Sequence, residues 1–165
     1  MVSCLLAAHG FVYLEAPFIV QLLPAMLAAA RGAVFNGIPP YDLWEHPPAL
    51  GKIPPHGSDA GSYLVGEVFG ARSIILLKDV DGLYTADPKT NPDAELISEI
   101  DTAKLIGQNL PTLPIEPVVL ELLSRGRLAR SIRIINGLVP GNLTRALNGE
   151  PIGTIIHGAR RPGSY

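Results

Sequence analysis

The sequence predicts an α/β protein with a mainly parallel sheet covered by helices. Short apolar segments rich in β-branched residues alternate with helical segments along most of the 165 residues, and this alternation is typical of right-handed βαβ units. The clearest strand is the unbroken apolar run at residues 74–77, Ile-Ile-Leu-Leu, which suits a strand buried on both faces. The charged loop that begins at Lys78 would then lie at a carboxyl end of the sheet, where such sheets bind ligands.

Short elements precede this strand. They are, in chain order, a helix over residues 2–9, a strand over 11–14, a helix over 21–30 and a strand over 33–35. We expect Gly10 and Gly32 to end the two helices, because glycine readily takes the left-handed conformation at a helix C-terminus. A helix that begins at the first residue without a capping side chain looks cut from something longer.

A proline-rich segment, residues 38–56, separates these elements from the rest of the chain. Its three Pro-Pro pairs exclude a regular helix or a central strand, and loops of this length in compact domains are usually functional or disordered. Tyr41 and Trp44 indicate that the loop packs on something. A structural lid or subunit contact is the preferred interpretation over a catalytic loop.

The second half of the chain continues the alternation. The expected elements are a helix over 58–69, the strand at 74–77, a short edge strand at 96–97, helices over 101–106 and 117–127, a strand over 131–135, a helix over 142–147 and a strand over 154–157. Ser58 and Asp101 are the expected N-caps of their helices, and Gly70 is the expected terminator of the first of them. We find no linker, so residues 1–165 are expected to form one domain.

Composition excludes several classes of protein. Hydrophobic residues make up 47% of the chain, which indicates a globular protein, and the formal net charge of −2 gives no basic footprint for nucleic acid or a membrane surface. The apolar start, residues 1–8, is too short for a membrane span. Cys4 is the single cysteine, so an internal disulfide is excluded and a reducing compartment such as the cytoplasm is expected.

The loop after the strand at residues 74–77 carries the most specific pattern in the chain. Residues 78–89 read Lys-Asp-Val-Asp-Gly-Leu-Tyr-Thr-Ala-Asp-Pro-Lys. Asp81 and Gly82 are a turn signal, since glycine takes positive φ without steric cost, and Asp87 precedes a proline that disfavours helical geometry. Alone, these features indicate only a turn. The whole string resembles the nucleotide-binding loop of the amino acid kinase family, which includes uridylate, aspartate and acetylglutamate kinases.

This resemblance implies a three-layer α/β/α amino acid kinase (carbamate kinase-like) fold. Residues 58–61, 136–143 and 149–156 match further segments of the family, so the likeness covers the chain but only the C-terminal half of the family's usual length. The family's N-terminal Lys-x-Gly-Gly loop is absent from the sequence. We therefore expect a fragment, a mis-started reading frame or one product of a split gene, without kinase turnover by this chain alone.

Within the family, the sequence is most similar to the molybdenum storage proteins. The matching residues are 37–41 (Gly-Ile-Pro-Pro-Tyr), 43–44, 53–55 and the run Asn-Gly-Leu-Val-Pro-Gly-Asn-Leu at 136–143. The resemblance implies an ATP-binding subunit that assembles with homologous subunits into a homo- or hetero-oligomeric cage, as a hexamer, and holds oxomolybdate clusters.

The resemblance also implies roles for particular residues. Asp59 would orient Mg²⁺ or a lysine, although a carboxylate favoured by the helix dipole is nearly as good an interpretation. Lys78 would approach phosphate, or simply be solvated. Asp81 and Gly82 would shape the nucleotide loop.

The remaining roles concern the base and the cargo. Tyr84 would stack on or border adenine, and Asp87 would lie near the ribose or base. His46 and His56 could contact oxometalate, but their spacing is not that of metal ligands, and surface histidines are the preferred interpretation.

Two other functions stay open. One is a uridylate kinase-like or amino acid kinase that acts with a separate N-terminal phosphate-binding part. The other is a non-enzymatic interaction module in which the nucleotide half has decayed.

Overall fold

The computed structural model describes residues 1–36, 57–110 and 112–159. The helices are α1 (Val2–Ala7), α2 (Ile19–Ala29), α3 (Ser58–Val68), α4 (Thr102–Gln108), α5 (Pro117–Arg125) and α6 (Asn142–Leu147), and a 3-10 turn, Ala16–Phe18, precedes α2. The strands are β1 (Phe11–Tyr13), β2 (Gly32–Val34), β3 (Ile75–Lys78), β4 (Leu83–Tyr84), β5 (Leu96–Ile97), β6 (Glu99–Asp101), β7 (Ser131–Asn136) and β8 (Thr154–His157).

The largest sheet has four strands in the order β3-β7-β8-β6. The pairs β3–β7 and β6–β8 are parallel, whereas β7 and β8 are antiparallel. The carboxyl ends of β3 and β7 therefore lie at one edge of the sheet, and those of β6 and β8 lie at the opposite edge. Two smaller pairs accompany this sheet: β1 with β2 in parallel, and β4 with β5 antiparallel.

The main core lies between this sheet and helices α3 and α5. Tyr63, Leu64, Val119, Ile134 and Ile156 are each 0% exposed within it. Burial of a large apolar side chain contributes about 1.5–3 kcal/mol, so these residues fix α3 and α5 against the sheet. The position of α3 matters for function, because its first residues lie beside the end of β3.

A second, smaller core packs α2 against the other side of α3. It contains Leu14, Ile19, Leu23 and Val65. Helix α3 is thus held between two cores, and eight of its eleven residues are buried. An element packed on both sides is a rigid support for residues at its ends.

The central strand is not buried on both faces as predicted. Ile74 and Leu76 are 8% and 7% exposed, but Leu77 is 50% exposed. Successive side chains alternate across a strand, so Leu77 points to the face opposite Leu76, and that face is partly open to solvent. On that face Leu77 lies against the loop after β7: a Cβ added at Gly137 would lie 3.0 Å from the Cβ of Leu77.

Most predicted elements are present, with shifted ends. Helix α1 ends at Ala7 rather than at His9. Gly32 does not end α2 but begins β2, where the Phe11 ring fills the space beside it. Strands β4 and β6 were not predicted, because two or three residues are too few for an alternating pattern to be recognised.

Several sequence features lie outside the described residues or carry no fold information. Tyr41, Trp44, His46 and His56 fall in the undescribed range 37–56. Cys4 is exposed and free. Across the described ranges, every helix is too short or too polar to cross a bilayer.

Candidate functional site

The carboxyl end of β3 and the first turn of α3 bring Lys78 and Asp59 together. The Nζ of Lys78 donates to both carboxylate oxygens of Asp59, at 2.8 Å to Oδ1 and 2.7 Å to Oδ2. Asp59 is only 8% exposed, and a carboxylate removed this far from water needs a partner. The structure thus joins two predicted site residues in one ion pair.

Glu116, which is not among the predicted site residues, completes this cluster. Its carboxylate accepts the backbone N–H of Gly57 at 2.7 Å and that of Asp59 at 3.1 Å, and its own N–H donates to Asp59 Oδ2 at 3.3 Å. The predicted N-cap, Ser58, is wrong: Ser58 is the first helical residue, and Gly57 stands at the cap position without a side-chain hydrogen bond. The N-terminus of α3 is capped instead by a side chain far away in sequence.

Only a weak signal could have pointed to Glu116. It is the N-cap residue of α5 and makes no local capping bond there, although Ser, Thr, Asp and Asn are the favoured residues at that position. A residue that is not a favoured N-cap is consistent with a side-chain contact elsewhere in the fold. The partner cannot be read from the sequence, because the contacts span 57 and 59 positions.

Gly82 is required by close packing rather than by backbone conformation. It is not among the described glycines with positive φ, so the conformational reason predicted for it is wrong. A Cβ at Gly82 would overlap the hydroxyl of Thr154. That hydroxyl accepts the N–H of Leu83 at 2.8 Å and donates to the carbonyl of Ile97 at 2.5 Å. The hydrogen bonds of Thr154 thus connect the loop after β3 to the start of β8.

Asp81 connects the loop after β3 to the end of β7. Its carboxylate accepts the Tyr84 hydroxyl at 3.2 Å and the Asn136 side-chain amide at 2.9 Å. Partial burial, and then the neighbouring Asp81 charge, raise the pKa of the Tyr84 phenol, so Tyr84 stays protonated and donates. Because Asn136 ends β7, the loop after β3 is linked to the adjacent strand end.

A cavity of about 140 Å³ lies against this loop. Gly82, Tyr84 and Asp87 all line it, which brings together three of the predicted nucleotide-binding residues. Thr112 and Pro114 line it from the segment between α4 and α5. Most of the remaining lining is apolar: Val80, Ala86 and Pro88, with Lys89 at the loop's end.

The other predicted residues are placed differently. Lys78, Asp59 and Asp81 do not line the cavity; Asp81 supports Tyr84, and the ion pair lies at the end of β3. The Asp87 carboxylate is partly engaged, because its Oδ1 accepts the N–H of Lys89 at 2.9 Å. The structure therefore has two features near the end of β3: the mainly apolar cavity lined by Tyr84, and the ion pair of Lys78 with Asp59.

Metal ligands are not grouped at this edge. Within residues 1–36, 57–110 and 112–159, no three His, Cys, Asp or Glu side chains are arranged to hold a metal ion. Both oxygens of Asp59 already have partners. His46 and His56, the predicted oxometalate contacts, lie outside the described residues.

The chain is thus an α/β protein with a cavity and an ion pair near the carboxyl end of β3. Residues 16–136 match the sequence profile of the amino acid kinase family. The chain belongs to the amino acid kinase family.

Individual relatives agree with this assignment. Molybdenum storage protein subunit beta of Azotobacter vinelandii is 46% identical over 156 residues, which cover 94% of this chain and 57% of the relative. A uridylate kinase of Corynebacterium efficiens is 39% identical over 87 residues, covering 53% and 34%. The chain thus spans between a third and just over half of the length of these relatives.

The structure of UMP kinase from Bacillus anthracis shares the fold. The two structures superpose with a TM-score of 0.66 at 20% sequence identity, over 92% of this chain and 58% of that one. The predicted amino acid kinase fold is therefore confirmed, and so is the predicted likeness to molybdenum storage subunits and uridylate kinases.

Proposed function

We propose that this chain is the nucleotide-binding part of a molybdenum-storage-type subunit and that it binds ATP. The observation that carries the proposal is the cavity lined by Gly82, Tyr84 and Asp87. These residues belong to the loop that begins at the end of β3 and resembles the family's nucleotide-binding loop. The 46% identity to a molybdenum storage subunit over 94% of the chain supports the storage assignment.

The size and lining of the cavity suit one part of the nucleotide. Pockets for drug-sized ligands measure about 300–1,000 Å³, whereas this cavity measures about 140 Å³. It has room for the base, which would lie against the Tyr84 ring and opposite Pro114, with Asp87 towards the ribose. The phosphates would then extend outside it towards Lys78. Mg²⁺ would arrive with the nucleotide, because this ion is usually held by one or two carboxylates together with substrate phosphates.

The first experiment tests nucleotide binding. Calorimetric titration of the full chain with Mg²⁺-ATP should show weak, saturable binding. Asp87→Ala should reduce the affinity, because it removes the polar group at the ribose side of the cavity. Unchanged affinity in Asp87→Ala and in a Tyr84→Ala variant would overturn the placement of the site. The control is Asp93→Ala, because Asp93 is an exposed carboxylate six residues further along the chain and does not line the cavity.

Oligomerisation and cargo form the second part of the proposal. The storage relative is by name a subunit, and we propose that this chain assembles with homologous subunits, as a hexameric cage, around oxomolybdate clusters. His46 and His56 are the proposed cargo contacts. Incubation with molybdate and ATP, followed by desalting and elemental analysis, should leave bound molybdenum that His46→Ala and His56→Ala reduce. Molybdenum at background, with a partner subunit present, would remove the cargo function and leave nucleotide binding intact.

A kinase is the second candidate, favoured by the 39% identity to a uridylate kinase. Phosphoryl transfer requires several groups that neutralise the phosphates, and the sequence contains no Lys-x-Gly-Gly loop. We therefore expect no transfer from ATP to UMP, aspartate or glutamate by this chain alone. Steady transfer that Asp59→Asn abolishes would establish the kinase instead.

A further inference from the structure

Glu116 stands out because it contacts the ion pair's carboxylate residue from two directions. Its side chain accepts the N–H of Asp59, and its backbone N–H donates to the Asp59 carboxylate. No role for Glu116 follows from the loop motif. We propose that Glu116 is a positioning residue: it fixes the Asp59 carboxylate that holds Lys78, and so sets how Lys78 meets the nucleotide phosphates. The nucleotide part of this inference rests on the proposed function.

The first step of the argument concerns the helix end. Asp59 is the second residue of α3, so its carboxylate moves with the first turn of that helix. The backbone N–H groups of a first turn have no intrahelical partner, and α3 has no side-chain cap of its own. Glu116 supplies acceptors for Gly57 and Asp59 at 2.7 and 3.1 Å. It therefore holds the part of the backbone from which the Asp59 side chain extends.

The second step concerns the carboxylate itself. Asp59 Oδ2 accepts from both Lys78 Nζ, at 2.7 Å, and the Glu116 N–H, at 3.3 Å. Two donors arriving from different elements determine the plane of a carboxylate, whereas Lys78 alone, on its flexible stem, would let it turn. Glu116 thus connects the start of α5 to the end of β3 through Asp59.

The third step concerns charge. Two carboxylates this close would repel each other unless each were compensated. Lys78 compensates Asp59, while Glu116 lies at the N-terminus of α3, where backbone N–H groups and the helix dipole favour a negative charge. The pair of carboxylates therefore needs only one cation, and Lys78 keeps a single fixed partner.

The nucleotide experiment separates positioning from general stability. Glu116→Ala and Glu116→Gln are titrated with Mg²⁺-ATP and with adenosine, which has no phosphate. We expect ATP affinity to fall about two- to tenfold, the value of one hydrogen bond, while adenosine affinity stays unchanged. The loss should be smaller in the glutamine variant, which keeps one acceptor. In a Lys78→Met background, Glu116→Ala should have no further effect. Equal losses for ATP and adenosine would overturn the proposal.

A matched control is available on the same helix. Glu121 is an exposed carboxylate of α5, and Glu121→Ala makes the same change of charge away from Lys78. It should leave both affinities unchanged. A loss of ATP affinity in Glu121→Ala equal to that in Glu116→Ala would show a general effect of net charge and would contradict a positioning role.

A second readout does not depend on nucleotide binding. Acylation of Lys78 by an amine-reactive ester, followed by peptide mass spectrometry, is compared with acylation of the exposed Lys104 in the same molecules. Release of Lys78 from Asp59 should raise its relative labelling in folded Glu116→Ala, in the same direction as in Asp59→Asn. If wild type binds no ATP, the proposed function fails, and this labelling still decides on Glu116. Unchanged labelling in a variant with native circular dichroism would overturn the positioning role.

Discussion

Replacement of Tyr84 tests whether the aromatic wall of the cavity binds a base. Tyr84 lines the cavity, and its hydroxyl donates at 3.2 Å to Asp81, which does not line it. Stacking of a base on an aromatic side chain is worth about 1–3 kcal/mol by alanine substitution. At 1.4 kcal/mol per tenfold, Tyr84→Ala should weaken ATP binding about five- to 150-fold.

Tyr84→Phe separates the ring from the hydroxyl. This variant keeps the stacking surface and loses one hydrogen bond to Asp81, so ATP affinity should stay within about twofold of wild type. The free energy of unfolding should fall by no more than about 0.5–1.5 kcal/mol.

Isothermal titration calorimetry with Mg²⁺-ATP measures both variants. Tyr13→Ala is the control, since Tyr13 is 52% exposed on β1 and does not line the cavity; it should bind as wild type does. A folded Tyr84→Ala variant with wild-type affinity would refute the base placement. Equal losses in Tyr84→Phe and Tyr84→Ala would assign the effect to the hydroxyl instead of the ring.

Three further predictions concern stability. Gly82→Ala should lower the free energy of unfolding by about 1–3 kcal/mol, because the added methyl meets a threonine hydroxyl of β8; Gly107→Ala in α4, where the space is open, should instead raise it by about 0.5–1 kcal/mol in urea denaturation. Glu67 is 4% exposed and accepts three backbone N–H groups of the loop before β7, so Glu67→Gln should cost about 1–3 kcal/mol, and a midpoint equal to wild type would contradict this. Burial raises the pKa of Tyr63 and of Tyr84; both contribute stability that is fully present below the ordinary tyrosine pKa of about 10 and declines as pH rises above it. Tyr63→Phe should flatten this decline more than Tyr84→Phe, because Tyr63 is 0% exposed, and an identical alkaline dependence in wild type and Tyr63→Phe would refute the assignment.

Local sequence pattern was sufficient for the elements that it directly encodes. The helix predicted over 142–147 and the strand predicted over 154–157 have the observed bounds. The loop at 78–89 was recognised because a dozen consecutive residues matched one pattern. Gly82, Tyr84 and Asp87 then line one cavity, since they lie in the same short loop.

Contacts between distant segments could not be predicted. Glu116 meets Asp59 only because α3 and α5 pack on the same sheet, and this packing depends on the whole core. The burial of β3 was misjudged for the same reason: an apolar run does not reveal which faces of its strand are covered by distant segments. The packing that excludes a side chain at Gly82 could not be predicted either, because the threonine responsible lies 72 positions further on, at residue 154.

The arrangement at this edge bears on whether the chain holds a nucleotide or also transfers phosphate. Binding a nucleotide without reaction requires a cavity for the base and enough positive charge to offset the phosphates. A lysine that is ion-paired with an aspartate can supply part of that charge. Transfer needs more, because the moving phosphoryl group has to be surrounded by groups that are preorganised for its developing charge. Lys78 is bound to Asp59 by two contacts of 2.8 and 2.7 Å, so its charge is already partly offset before any phosphate arrives. We therefore expect this edge to hold a nucleotide without transferring its phosphate, and steady phosphoryl transfer by the full chain in a kinase assay would contradict this expectation.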